Sequence, residues 1–372
     1  MEIQERKIPQ LGFGFMRLAK KEDGSYDVEQ IIHMVDHYLS SNYNYFDTAF
    51  VYDNGNSERM IKTVLSSRHP RNSFILASKL PLSKVSDSAD QMSLLKTSLE
   101  RTGVDYFDNY LIHNVHRKRI VKLDKYNTWD FMAKIKQDGL AKNIGFSFHD
   151  TADVLDGILR SHPEFDFVQL QLNYADWENE QIQSRKCYEI ARAYNKPILV
   201  MEPIKGGSLA NGNPEMVSAF LQADPNASPA SWALRFVASL DGVETVLSGM
   251  SSFSQLEDNL STFMNMKPLS EKEFSVIHQV LEIYNKTDRI PCTSCAYCVA
   301  SCPMRIPIPG LIGLYNDTLI YGKNPGHQRS YGILTAAKGT ASECISCKNC
   351  ENQCPQHLSV SQVMKDITAL FE

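Results

Sequence analysis

The run Ser73-Phe74-Ile75-Leu76-Ala77-Ser78-Lys79 is short and mostly apolar, as expected for a β-strand that is buried on both faces. Apolar residues then recur at helical spacing as far as Gly103, a residue type that commonly ends helices. A second apolar run, residues 106–113, follows shortly afterwards. Strand, helix and strand in this order predict a βαβ unit with parallel strands.

The same alternation extends in both directions along the chain. The apolar runs that predict strands lie near residues 8–13 and at 43–47, 73–79, 106–113, 143–147, 167–172, 197–201 and 244–247. Eight strands that alternate with helices predict an α/β fold in the form of a (β/α)8 TIM barrel. In such a barrel the functional residues lie at the C-terminal ends of the strands.

The C-terminal part of the chain contains one cysteine pattern twice. The copies are Cys292-x-x-Cys295-x-x-Cys298-x-x-x-Cys302-Pro303 and Cys344-x-x-Cys347-x-x-Cys350-x-x-x-Cys354-Pro355. This spacing is typical of bacterial ferredoxins with two 4Fe–4S clusters, in which the fourth cysteine of each run ligates the other cluster. We therefore assign one cluster to Cys292, Cys295, Cys298 and Cys354, and the second to Cys344, Cys347, Cys350 and Cys302.

Neither structural zinc nor a disulfide framework fits this spacing well. Structural zinc sites use two ligand pairs separated by a longer loop, and disulfide frameworks belong to small secreted chains. The ninth cysteine, Cys187, lies at helical spacing with apolar residues and is predicted to be an inert core residue.

The chain is predicted to form two domains. Residues 1–285 are expected to form the barrel with its closing helices, the last of which begins near Ser270. Residues 286–372 are expected to form a small, mainly helical, ferredoxin-like 4Fe–4S domain, with helices around 311–319 and at the C-terminal end.

Composition excludes several classes of partner. Hydrophobic residues make up 43 % of the chain, the net charge is −5 and the pI is near 6.1, which argues against nucleic acid or an anionic membrane as a partner. No apolar run approaches the about 20 residues that span a bilayer. Residues 1–7 lack the apolar stretch of a signal peptide, and thiolate-ligated clusters need reducing surroundings. We therefore expect a cytoplasmic protein.

Four polar residues lie at or just after predicted strand ends: Asp47, Tyr52, Lys79 and His113. A lysine cation lowers the pKa of a neighbouring tyrosine, and an aspartate holds the lysine in place. Such a tyrosine can exchange a proton with a carbonyl oxygen, and a histidine can orient that oxygen. Taken singly, each residue is better explained by a structural role, as a helix cap, a surface aromatic, a solvated strand end or a core histidine, but the four together at successive strand ends favour function.

Residues 8–263 resemble the aldo-keto reductase family. The resemblance rests on Leu11-Gly12-Phe13-Gly14-Phe15, Asp47 to Tyr52 with Ser57-Glu58, Ala77-Ser78-Lys79, Leu99 to Tyr106, Ile144-Gly145-Phe146-Ser147, Val168-Gln169, Gly249-Met250-Ser251 and Asn259-Leu260. By this resemblance the family's catalytic tetrad falls on Asp47, Tyr52, Lys79 and His113. Together with the cysteines, the chain is similar to the ferredoxin-tailed branch of aldo-keto oxidoreductases.

The resemblance implies an oxidoreductase that reduces a carbonyl, or oxidises an alcohol, with NADP or NAD as cofactor. Ser147 and Gln169 would bind the nicotinamide carboxamide, and Gly249, Met250 and Asn259 the adenosine end. Near Gln255 the family commonly has a basic residue for the 2′-phosphate. The stretch Lys205-Gly206-Gly207 offers a cation and a backbone nest to a phosphate, although a simple glycine turn accounts for it equally.

Several questions of function stay open at this point. The clusters are expected to pass electrons to or from the barrel site, or to a ferredoxin or another electron carrier. Alternatively, the clusters are structural or sensory in a conventional reductase, or the barrel is a nucleotide-sensing subunit without catalysis. A flavin is a further candidate cofactor, because it would join one-electron clusters to two-electron hydride chemistry. The substrate and the oligomeric state do not follow from the sequence.

Overall fold

The computed structural model describes residues 10–211, 214–286 and 288–372. Residues 8 and 9 of the predicted first strand lie outside the described residues. The eight strands are β1 (Gln10–Gly14), β2 (Tyr45–Asp47), β3 (Ile75–Leu80), β4 (Phe107–Val115), β5 (Ala141–Phe148), β6 (Phe167–Gln171), β7 (Ile198–Met201) and β8 (Val243–Gly249). They pair in parallel in chain order, and β8 pairs with β1 to close the barrel. The predicted (β/α)8 fold is confirmed.

The described α-helices alternate with these strands along the chain and continue after β8. They are α1 (Val28–Ser40), α2 (Asn56–Ile61), α3 (Ser88–Thr102), α4 (Arg117–Lys125), α5 (Thr128–Gln137), α6 (Ala152–Ser161), α7 (Ser184–Ala193), α8 (Pro214–Ala223), α9 (Pro229–Ala238), α10 (Phe253–Met264), α11 (Glu271–Asn285), α12 (Ile308–Tyr321), α13 (Pro325–Thr335), α14 (Asn349–Gln353) and α15 (Val360–Phe371). Helix α3 ends at Gly103 with φ +68°, as predicted. Of the helices in the described ranges, none is long and apolar enough to cross a membrane.

Side chains from six of the eight strands form a cluster in the barrel interior. One buried layer consists of Tyr45, Ala77, Leu111, Phe167, Leu199 and Leu247. The interior has no room for a side chain at position 145, because a Cβ atom on Gly145 would lie 2.4 Å from the Phe167 ring. The interior is therefore a packed core, which leaves the ends of the strands as the place for a binding site.

The chain divides into two compact units. The first comprises Met1–Pro203 and Ala230–Ser270, and the second comprises Ile204–Pro229 and Glu271–Glu372. The second unit has its own apolar core, which includes Ile306, Leu311, Met364 and Ile367. This unit takes in α8 and α11 as well as the cysteine-rich region. The boundary at residues 285 and 286 stays a prediction.

Candidate active site and cysteine loops

Three consecutive strands place three polar side chains inside the barrel. Asp47 is the last residue of β2, Lys79 lies one residue before the end of β3, and His113 lies near the end of β4. Lys79 Nζ lies 2.5 Å from Asp47 Oδ1 and also donates to the Thr48 carbonyl oxygen at 2.8 Å. Asp47 and Lys79 are 4 % and 1 % exposed. Each of these buried charges depends on the other, because an unpaired buried charge is strongly destabilising.

Tyr52 reaches the same place from the loop after β2. Its hydroxyl oxygen lies 3.3 Å from Lys79 Nζ. Its ring meets the imidazole of His113 edge-on, with 5.8 Å between the ring centres. The structure therefore brings together Asp47, Tyr52, Lys79 and His113, whose shared catalytic role stays a prediction.

An uncommon backbone conformation holds the loop that carries Tyr52. The residues from Asp53 to Gly55 all have φ between +46° and +85°, which costs on the order of 1 kcal/mol for each non-glycine residue. Behind the loop, the fully buried Glu58 accepts hydrogen bonds from Ser78 Oγ at 2.8 Å and from Arg101 at 3.2 Å. These buried bonds offset the backbone strain and anchor the loop to β3 and α3.

The electrostatics of the site follow from its burial. Burial raises the pKa of Asp47 and lowers the pKa of Lys79, and the ion pair between the two groups opposes both shifts. Burial, reinforced by the cations of Lys79 and Arg119, holds the pKa of His113 well below its usual value. The imidazole is therefore neutral at pH 7, so it can donate a hydrogen bond without carrying charge.

The residues predicted to bind the nicotinamide lie beside this group. Gln169 is buried in β6, and its Nε2 lies 3.5 Å from Asp47 Oδ2. Ser147 Oγ in β5 accepts the backbone N–H of Asn114 at 2.8 Å. Asn114 has φ +60° next to His113, where the pairing of β4 and β5 changes register. Ser147 therefore also supports the backbone that carries His113.

The residues predicted to bind the adenosine end lie at β8 and α10. Asn259 donates to Ser248 Oγ at 2.8 Å, and Met250 is fully buried. The Gln255 side-chain oxygen accepts the backbone N–H of Ser251 at 2.8 Å. Gln255 therefore stabilises the turn into α10.

Sequence reasoning missed a cation near this end of the barrel. Arg17 follows β1, and its side-chain stem lies against Gly249, where a Cβ atom would be 3.3 Å from Arg17 Cβ. Ser251 Oγ also donates to the Arg17 carbonyl oxygen at 2.9 Å. In any closed eight-stranded barrel β1 and β8 are neighbours. The position of Arg17 just after β1 therefore indicates that it lies near the end of β8.

Lys205 lies in the second compact unit and is 4 % exposed. Within that unit the next residue, Gly206, approaches the first cysteine loop. A Cβ atom on Gly206 would lie 2.5 Å from the Thr293 carbonyl oxygen, and the φ of Gly206 is +67°. This close approach gives the glycine a packing role that is independent of any phosphate.

Replacement of Gly206 by alanine is expected to disturb the first cysteine loop. The added Cβ would collide with the backbone of Thr293, which has to move. We expect Gly206→Ala to lower iron content and stability, measured by iron analysis and thermal unfolding under anaerobic conditions. Gly207→Ala is the matched control, because Gly207 also has positive φ but its nearest neighbour is 3.8 Å away. Equal iron loss in both variants would contradict the packing argument.

The two cysteine loops have the same backbone conformation. Left-handed residues occur at the same positions relative to the cysteines in both, in the pairs Ser294 and Ser346, Ala296 and Lys348, and Arg305 and His357. Non-glycine residues rarely adopt this conformation, so three matching pairs show that both loops wrap in the same way. Such turns aim backbone N–H groups inwards, and Ser294 N lies 3.4 Å from Cys292 Sγ.

Thiols of the two cysteine runs lie close enough to influence one another. Burial raises the pKa of Cys298, and the charges of Cys295, Cys292, Cys354 and Cys350 raise it further. Burial raises the pKa of Cys350 to about 11, with a contribution from Cys302. Bound iron cations would lower the pKa of these thiols and let them ionise, so both sets fit a cluster.

A cavity marks the second set. It is lined by Cys302, Cys344, Cys347 and Cys350, with Ile345, Lys348 and Met364 among its other walls, and it is open to solvent on one side. Among the described residues, no three His, Cys, Asp or Glu side chains are grouped to hold a single metal ion. The described cysteines form no disulfide bond, and buried Cys187 has its pKa raised to about 12 by burial, as fits an unreactive core thiol.

Comparison with known families assigns both regions. Residues 10–282 match the model described as the aldo/keto reductase family, and residues 291–359 match the model described as a 4Fe-4S dicluster domain. These matches confirm the resemblance recognised in the sequence.

Individual relatives agree with the family match. An aldo-keto reductase of Mycolicibacterium vanbaalenii is 29 % identical over 70 % of this chain and 84 % of its own length. The uncharacterized oxidoreductase YqkF of Bacillus subtilis is 22 % identical, with coverages of 74 % and 94 %. Among solved structures, an aldo-keto reductase of Klebsiella pneumoniae in complex with NADPH superposes with a TM-score of 0.60 at 18 % identity, covering 74 % of this chain and 91 % of that one. This last likeness concerns the fold.

Proposed function

Since the chain belongs to the aldo/keto reductase family, we propose that it reduces the carbonyl group of a small molecule, or oxidises the corresponding alcohol, with NADPH or NADH as hydride carrier. The family membership makes the protein an oxidoreductase. The observation that carries the finer proposal is the buried Lys79–Asp47 ion pair with the Tyr52 hydroxyl at 3.3 Å from Lys79.

Each member of this group has a distinct task in the proposed reaction. Tyr52 gives a proton to the carbonyl oxygen as negative charge develops there. Lys79 lies within 3.3 Å of that hydroxyl and favours the phenolate that remains, while Asp47 keeps the buried lysine charged. Neutral His113 donates a hydrogen bond that orients the carbonyl oxygen. When bound, the nicotinamide cofactor supplies the hydride.

The proposed cofactor contacts are carried by side chains near this group. Ser147 and Gln169 are buried hydrogen-bonding residues on β5 and β6, and they would hold the carboxamide. Gly249, Met250 and Asn259 would meet the adenosine end. A protein of the same fold with bound NADPH supports a dinucleotide at such a barrel, and this support is by analogy of fold.

Discrimination between NADPH and NADH is expected to be weak. Gln255 carries no charge and is engaged with Ser251, so it cannot make the charge-assisted contact by which arginine binds a 2′-phosphate. We expect the two dissociation constants, measured by fluorescence titration, to differ by less than about tenfold. A preference for NADPH above about a hundredfold would contradict this expectation. Arg17→Met would then test whether Arg17, which follows β1 and lies against Gly249, binds the phosphate.

For the cysteine domain we propose two 4Fe–4S clusters that pass electrons to or from the barrel site, or to a ferredoxin. The position of Cys302 beside Cys344, Cys347 and Cys350 and the matching backbone of the two loops support this proposal. Clusters need reducing surroundings, and the cytoplasm provides them.

The test is the optical spectrum of anaerobically purified protein before and after NADPH. Bleaching of the iron–sulfur absorption at the rate of turnover supports coupling, whereas an unchanged spectrum during turnover means that the clusters are structural or serve another partner. The same spectrum reveals a bound flavin.

A further inference from the structure

Arg101 lies behind the loop that carries Tyr52 and contacts this loop on both sides of the tyrosine. It belongs to the last turn of α3, and its guanidinium carbon lies 4.1 Å from the centre of the Phe50 ring. Its Nη1 also donates to the Phe50 carbonyl oxygen at 3.5 Å. On the other side of Tyr52, a Cβ atom on Gly55 would lie 2.7 Å from the same nitrogen. The guanidinium group therefore packs against the loop both before and after the tyrosine.

A buried carboxylate fixes the position of the guanidinium group. Arg101 Nη1 donates to Glu58 Oε2 at 3.2 Å, and Glu58 Oε1 accepts a hydrogen bond from Ser78 Oγ at 2.8 Å. The Glu58 side chain is fully buried, and that of Arg101 is 18 % exposed. Because an unpaired buried charge is strongly destabilising, the two groups depend on each other. Ser78 precedes Lys79 in β3, so this ion pair joins the Tyr52 loop to the strand that carries the lysine.

The backbone of the loop needs this support. Asp53 and Asn54 have φ +46° and +55°, a conformation that residues other than glycine rarely adopt. Such a conformation persists only where the surrounding structure enforces it. On the solvent side Asp53 accepts a hydrogen bond from the Tyr26 hydroxyl. On the inner side the contacts are those with Arg101 and Glu58, which are the buried ones.

We propose that Arg101 is a positioning residue that holds the Tyr52 hydroxyl against Lys79, with Glu58 as its buried counter-ion. This inference rests on the proposed role of Tyr52 as proton donor. Arg101 acts through the backbone of the loop, and the distance that it controls is the 3.3 Å between the Tyr52 hydroxyl oxygen and Lys79 Nζ. Rates depend steeply on such distances, since a displacement of about 1 Å can cost about 10²-fold.

Glu58 also acts on Lys79 through its charge. Burial lowers the pKa of Lys79, and the carboxylates of Asp47 and, more weakly, Glu58 oppose this shift. A substitution of Glu58 would therefore change both the loop and the charge of the lysine. For this reason the experiment alters Arg101 and Gly55 and leaves Glu58 in place.

The test compares Arg101→Met with the native full-length protein in steady-state kinetics, using NADPH and a panel of aromatic and aliphatic aldehydes at several pH values. We expect kcat to fall by about 10–10²-fold, because the proton donor is displaced, while the dissociation constant of NADPH changes by less than about threefold. The basic limb of the pH profile should shift upward, since a tyrosine farther from the lysine cation keeps its proton to higher pH. A role in stability alone would lower the amount of active protein without this shift.

Arg71 provides a matched control at the N-terminal end of the strands. Its guanidinium group pairs with the buried Asp108 at 2.6 Å and stacks on the Tyr106 ring at 4.0 Å. Arg71→Met therefore makes the same chemical change at the opposite end of β3 and β4 from the proposed proton donor. We expect this variant to lower the temperature of thermal unfolding, as Arg101→Met does, but to leave kcat and the basic limb unchanged.

A second variant serves if Arg101→Met does not fold. Gly55→Ala keeps every charge, and its new Cβ would collide with the guanidinium group. Its control is Gly139→Ala, because Gly139 has φ +76° beside +85° for Gly55 but has no neighbouring atom within 4 Å. Both substitutions strain the backbone alike. We expect Gly55→Ala alone to lower kcat and to shift the basic limb upward.

The outcomes separate the positioning role from the proposed reaction. Native kcat with an unshifted basic limb in Arg101→Met, or in Gly55→Ala if the first variant does not fold, would overturn the positioning role. The same loss and the same shift in the Arg71 control would overturn it too. Retention of native turnover in Tyr52→Phe, or no aldehyde turnover by the native protein, would instead overturn the proposed reaction and the positioning role with it.

Discussion

Tyr52→Phe is expected to lose most carbonyl reduction while its affinity for the dinucleotide changes little. The substitution removes one hydroxyl group, which lies 3.3 Å from Lys79 Nζ and is the proposed proton donor. General acid catalysis is typically worth about 10²–10⁴-fold, so kcat should fall by that factor. Steady-state kinetics with an aldehyde substrate and fluorescence titration with NADPH measure the two quantities separately.

A second tyrosine provides the control for this result. Tyr188 on α7 donates a hydrogen bond to the Asp241 carbonyl oxygen, and Tyr188→Phe makes the same chemical change there. That variant should keep native turnover. If Tyr52→Phe also keeps native turnover, Tyr52 is not the proton donor. If neither the native protein nor any variant turns over a carbonyl although the dinucleotide binds, the nucleotide-sensing alternative is favoured.

Cys302→Ala is expected to remove the second cluster and to spare the first. Native protein with both clusters should contain about eight iron atoms per chain, and the variant about four. Cys302 belongs to the first run by sequence, yet it lines the cavity with Cys344, Cys347 and Cys350. Loss of one thiolate leaves that cluster with three protein ligands, so one iron atom has no protein ligand in a partly exposed site.

Electron paramagnetic resonance of the reduced protein shows which cluster is lost. Cys292→Ala and Cys344→Ala supply the reference spectra. Each removes a ligand that belongs to the same cluster whether or not the fourth cysteines cross over. The spectrum of Cys302→Ala should match that of Cys344→Ala. A match with Cys292→Ala would mean that each run holds its own cluster without crossing. Cys187→Ala is the control, because this thiol is buried in α7 of the other compact unit, and the substitution should leave iron content unchanged.

The strands and the cysteine loops could be predicted because their signals are local. Strand β4 is buried at all nine positions, and its apolar run is visible in the sequence without knowledge of its neighbours. The end of α3 at Gly103 follows from the left-handed conformation that glycine adopts easily. The cysteine spacing likewise reflects how one short loop surrounds a cluster. Such features depend on residues that are close together in the chain.

The tertiary structure decided which distant groups meet, because strand register and loop packing set those contacts. It placed Arg17 against Gly249 through the closure of β1 on β8, which no local pattern predicts. It showed that Gly206 serves a close approach to Thr293, where the sequence equally suggested a phosphate nest. The spacing of the thiols by itself predicted two equivalent cysteine loops. Only the packing of other segments buried Thr293 and left the equivalent residue Ile345 in solvent, since exposure depends on what the rest of the chain covers.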